Sequence, residues 1–89
     1  MNIVEEEEQL RKADIDITSG RKRIHRQEEI IGELRKDGHD STAAVELLGV
    51  LRETLNAMIE HRALIKKQIN RLKNDSGRPG KRPINDIIE

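Results

Sequence analysis

Three histidines, His25, His39 and His61, are the side chains of this sequence best suited to proton transfer or metal binding. The second lies in Lys36-Asp37-Gly38-His39-Asp40-Ser41-Thr42, where imidazole, carboxylate and hydroxyl follow one another and invite comparison with a hydrolytic site. Catalysis of that kind needs a base and a nucleophile that converge on one substrate atom, and neighbours on a tight turn rarely do so. A helical metal site gathers its ligands at i, i+4, and no two of the histidines have that spacing. The absence of cysteine removes thiolate nucleophiles, disulfides and cysteine-bound zinc together. The sequence therefore predicts no catalytic residue, no metal ligand and no cofactor, and a protein that is not an enzyme.

The same stretch makes good sense as a bend. Arg35 and Lys36 suit the negative end of a helix, and Gly38 suits the left-handed residue just beyond it. Asp40 can cap the next helix as its N-cap, with Ser41 and Thr42 opening that helix. The elements on either side must then be two helices joined by a turn over 37–41.

Composition supports two long helices. The chain has 89 residues, enough for one small domain, and no Phe, Tyr or Trp. Apolar residues make up 34% and charged residues 38%, so burial falls to Ile, Leu, Val, Met and Ala along narrow seams. A deep substrate pocket, normally walled by aromatic and aliphatic groups, is not expected. The start Met1-Asn2-Ile3-Val4-Glu5 has no basic, apolar leader pattern, and no run approaches the roughly 18 apolar residues of a membrane span, so a cytoplasmic protein without membrane contact is expected.

In the first half, Ile3, Leu10, Ile17, Ile24 and Ile31 recur every seven residues, each followed at the third position by Glu6, Ala13, Gly20, Gln27 or Leu34. This is a heptad with strong a positions and small or polar d positions. Asn2 with Glu5 suits a capped start. Thr18-Ser19-Gly20 are poor helix formers, yet the heptad phase crosses them unbroken, which favours one helix over 3–36 with a soft spot. In the second half, Ala44, Leu48, Leu51, Leu55, Met58, Arg62, Ile65, Ile69 and Leu72 alternate steps of four and three, predicting a helix over 42–73.

A short turn makes these helices antiparallel neighbours, so the expected fold is all-α: a coiled-coil-like two-helix hairpin over residues 1–73, followed by a flexible, Pro- and Gly-containing tail over 74–89. Hairpin register sets Ala13 beside Ile65, Gly20 beside Met58 and Ala44 beside Leu34. It also lays the acidic start of the first helix along the basic end of the second. Arg62, the one polar seam position of the second helix, then serves to fix register by pairing with Asp14 or Asp16.

One pattern is left over. Leu47, Val50, Thr54, Ala57, His61, Leu64 and Gln68 form a second stripe beside the main seam, and the first helix has no equivalent. Leu47, Val50, Ala57, His61 and Leu64 are the candidate interaction residues. The economical occupant is the same stripe of another copy, giving a homodimeric four-helix bundle with the second helices at its centre. The alternatives are a different protein's helix on this face, or docking of a partner by the apolar end of the tail, Ile84 to Ile88.

Nucleic acid is not an expected partner. Arg21-Lys22-Arg23-Ile24-His25-Arg26 is basic, but its charges spread around more than one helical turn, Glu28 and Glu29 follow, and no aromatic is present to stack on a base. A hairpin dimer of the Rop type that binds RNA or DNA is the alternative function. Ile17 to Ile69 resembles a group of small proteins from rhizobia and related alphaproteobacteria. The likeness rests on Gly20, Ile24, Arg26, Gln27, the Asp37-Gly38-His39-Asp40 turn, Leu47-Leu48, Thr54-Leu55 and His61-Arg62. It implies a bacterial, cytoplasmic protein and brings no activity with it. The expected function is a non-enzymatic helical interaction module, a small adaptor or regulator.

Overall fold

The structure, a computed structural model, describes residues 2–76 as two α-helices, α1 (Ile3–Lys36) and α2 (Thr42–Ser76), folded back on each other as a hairpin. No strand occurs among the described residues. Helix α1 begins where Asn2, with extended backbone, accepts the Glu5 amide on its side-chain oxygen at 2.9 Å. Glu5 and Glu6 follow in the first turn, where negative charge favours the exposed amides. The helix passes through Thr18-Ser19-Gly20 without interruption, and the Thr18 hydroxyl bonds back to the Asp14 carbonyl at 3.0 Å.

Helix α1 ends as the sequence predicts. Gly38 has φ +75°, its amide donates to the Arg35 carbonyl (3.1 Å), and the His39 amide donates to the Leu34 carbonyl (2.8 Å). These paired bonds form a Schellman motif, which satisfies carbonyls that the helix end would otherwise leave open. His39 is thus held by its backbone, and its side chain is exposed.

Asp40 does cap α2, but from one residue further out than expected. The Ser41 carbonyl accepts the first helical bond, from the Val45 amide at 2.9 Å, so Ser41 occupies the N-cap position. Asp40 Oδ1 instead accepts both the Thr42 amide (2.9 Å) and the Thr42 hydroxyl (2.7 Å). Closing an Asx turn over two residues gives the carboxylate two donors at once. Helix α2 also runs three residues past the expected end at Lys73, because Asn74-Asp75-Ser76 lack the Pro or Gly that stops a helix. The remainder of the expected tail, with Ile84 to Ile88, lies outside the described residues.

The seam between the helices carries Ala13, Ile17, Ile31, Leu48, Ile65 and Ile69 as its buried apolar residues. Ala13, Ile65 and Ile69 form one cluster at the open end, with Ile3 and Leu10 packed against it. The expected pairing of small against large side chains is present. A Cβ built on Gly20 would lie 3.3 Å from Leu55 Cδ1 and 3.7 Å from Met58 Sδ, so the glycine creates the space those two side chains fill. Gln27, a polar d position, is only 8% exposed and donates its amide to the Ala44 carbonyl at 2.9 Å. Heptad register sets Ala44 level with Leu34 and does not anticipate this bond, which satisfies the buried amide.

Candidate interaction surface

The hairpin places the stripe of α2 outside its seam. Leu47 is 48% exposed, Val50 55% and Leu64 62%, and Thr54, Ala57 and His61 between them are exposed as well. Ala43, also exposed, extends the stripe by one step of four; the sequence carries this signal, but alanine is too small to draw notice. The geometry has a simple origin. Each stripe residue immediately precedes a seam residue, Leu47 before Leu48 and Leu64 before Ile65, and one residue turns an α-helix by about 100°. Helix α2 therefore has two apolar faces roughly at right angles, one covered by α1 and one bare.

The flank of α2 turned away from this ridge is held by charge. Arg62 Nε pairs with Asp14 Oδ1, the partner expected from register, and Arg52 meets Glu28 at 2.9 Å. Ile17 and Ile59 line the groove where the Arg62 guanidinium lies. Asp16, the other candidate partner for Arg62, pairs with Lys12 on its own helix at 3.3 Å. All four ions of the two inter-helix pairs are a third or more exposed, so each pair is worth well under about 1 kcal/mol; they orient the helices more than they stabilise them.

The chemically suggestive residues stay apart. His25 pairs with Glu29 on the surface of α1 at 3.3 Å, His39 sits in the turn and His61 lies on the ridge of α2. No cluster of three or more His, Asp or Glu able to hold a metal is found among the described residues. The Asp40 carboxyl is held below its usual range by the Thr42 hydroxyl and then by the Thr42 amide, a capping effect at a fully exposed group. A concavity lined by Glu5, Glu6, Glu8, Gln9 and Lys12 belongs to one helix, is open to solvent and has no apolar residue in its lining. Among the described residues no helix is long and apolar enough to cross a membrane.

Fold and surface together describe a helical hairpin whose second helix presents an uncovered apolar face. No protein-family model matches the chain, and no curated protein or solved structure matches it.

Proposed function

We propose that the protein is a non-enzymatic helical interaction module, a small adaptor or regulator that docks helices onto the ridge of α2 and associates with itself as a four-helix bundle. The observation that carries this reading is the continuity of the ridge, from Ala43 through Leu47, Val50, Thr54, Ala57 and His61 to Leu64, with its large apolar members half-exposed. Contiguous apolar surface of this kind marks contact sites, whereas single exposed aliphatic residues do not. Covering the exposed part of each leucine or valine contributes on the order of 1 kcal/mol. Within the same proposal, the resemblance to alphaproteobacterial proteins is what supports a bacterial, cytoplasmic setting.

The experiment is thermal melting across a wide range of protein concentration. Association stabilises the folded chain by mass action, so the melting temperature rises with concentration; a temperature independent of concentration contradicts self-association. Exposed Arg21, Lys22 and Arg23 on α1 favour the second reading, a nucleic-acid-binding hairpin. Arg26 of the same run is engaged by Glu29 at 3.3 Å, which weakens it. Titration with random RNA and duplex DNA separates the two. Micromolar binding that falls steeply with salt would replace the docking reading by the nucleic-acid one.

A further inference from the structure

We infer that the ridge of α2 is covered by the same ridge of a second copy running antiparallel, in the register that brings Thr54 of one chain against Ala57 of the other at the two-fold axis. This inference rests on the helix-docking reading and specifies the occupant and its geometry.

The need for an occupant shows in the core. Among the described residues no side chain is fully buried within the hairpin, so one seam between two helices leaves even its best-packed positions touching solvent. Antiparallel direction follows from the angle between the two faces of α2. A helix with neighbours at about 100° forms the corner of a square bundle. If the two-fold axis ran along the helices, it would put the two α1 helices on opposite sides and leave a zigzag. An axis perpendicular to them puts both α1 helices on the same side and turns α2 end over end, with the contact between copies made by the α2 ridges.

Register follows from spacing. From Leu47 to Leu64 the ridge alternates steps of three and four in a pattern that reads the same from both ends, with its midpoint between Thr54 and Ala57. Reversal about that midpoint sets Leu47 against Leu64 and Val50 against His61, while the small Thr54 and Ala57 meet where the helices approach most closely. A slip of one heptad in one direction sets Leu64 against Asp40, before the helix begins. A slip in the other direction sets Leu47 against Arg71. Only the central register covers both leucines with apolar surface.

Charge agrees with this direction. Beside the ridge, Glu46 and Glu53 lie before the midpoint, with Lys67 and Arg71 after it, so antiparallel packing brings acidic and basic ends together where parallel packing would align like with like. Glu60 runs against the trend, facing Glu53 of the other copy twice by symmetry, but on the solvent-exposed rim, where each such pair has little effect. With 17 basic and 17 acidic residues, two copies carry no net repulsion.

Because the chain has no cysteine, introduced thiols are the only ones present. Val50→Cys and His61→Cys chains, mixed and mildly oxidised, should form the mixed disulfide about tenfold more readily than either self-disulfide. Leu47→Cys with Leu64→Cys should repeat the result at the ends of the ridge, where like residues of an antiparallel dimer lie roughly 25 Å apart. Sedimentation of the unaltered chain accompanies both. A dimer whose thiols pair like with like, pair in a slipped register, or fail to pair overturns this inference and leaves the docking reading standing. A monomer overturns both.

Discussion

The two helices have nearly equal lengths, 34 and 35 residues, yet they use their outward faces differently. Helix α1 also exposes large aliphatic residues, Val4 at 60% and Ile15 at 64%. They stand eleven positions apart, with Glu8 and Arg11 between them on the same side of the helix, and form no continuous surface. On α2, Leu47, Val50 and Leu64 are exposed to a similar degree, but Ala43, Thr54, Ala57 and His61 join them into one ridge. Val45 and Ile59, also exposed on α2, lie off that ridge. What separates a docking face from a solvated one here is continuity at helical spacing, because isolated aliphatic residues are ordinary on any surface.

That contrast can be broken most directly by charge. Leu47→Glu with Leu64→Glu should weaken self-association at least a hundredfold in light scattering, since two carboxylates per chain would have to be desolvated in the interface. Val4→Glu with Ile15→Glu, equally drastic in composition, should leave assembly unchanged. Equal effects from both pairs would show that general hydrophobicity, and not the ridge, drives association.

A second contrast lies within the seam. Gly20→Leu should cost about 1–3 kcal/mol in denaturant unfolding, because the space beside it already holds Leu55 and Met58. Gly32→Ala, with nothing within 4 Å of the new methyl group, should stabilise by up to about 1 kcal/mol through helix propensity alone. If the two substitutions had the same sign, α1 and α2 would not be packed closely at Gly20.

The turn should be sensitive in proportion to its backbone demands. Gly38→Ala should cost about 1–2 kcal/mol, since φ +75° brings a Cβ against the following carbonyl. Asp40 gives a smaller, pH-dependent effect. Its carboxyl is held below the usual range by Thr42, so its contribution is fully present above the unfolded-state value and is lost as pH falls through the lower folded-state value. The acid-side loss of stability measured by urea unfolding should therefore be shallower in Asp40→Asn, which can still accept the Thr42 bonds but does not titrate.

Most of the hairpin was legible in the sequence because two rules with different origins agreed. The heptad spacing from Ile3 to Ile31 gave the seam of α1 and carried the helix correctly through Thr18-Ser19-Gly20. Gly38 between two periodic segments gave the Schellman turn, because a left-handed residue there has few alternatives. Details set by side-chain reach were harder to see. Whether Asp40 caps as N-cap or through an Asx turn depends on one backbone rotation, and either arrangement lets it accept the Thr42 amide. The Gln27 bond to the Ala44 carbonyl depends on the exact offset of the two helices near the turn, which a heptad pattern constrains only to within about one helical turn. The end of α2 ran on to Ser76 because the stopping residues come only after it. On the ridge, Leu47 and Leu64 stood out as stripe residues, while Ala43 needed the structure to show that its exposed face continues theirs.

Sedimentation equilibrium of the unaltered chain, over a wide range of micromolar concentration, tests the central claim most directly. If the second face of α2 is a docking surface for another copy, the mass should approach twice 10.2 kDa as concentration rises and fall back on dilution. A mass that stays at 10.2 kDa throughout, in a chain that still melts cooperatively, would show that one hairpin is stable with its ridge bare, and would contradict the account.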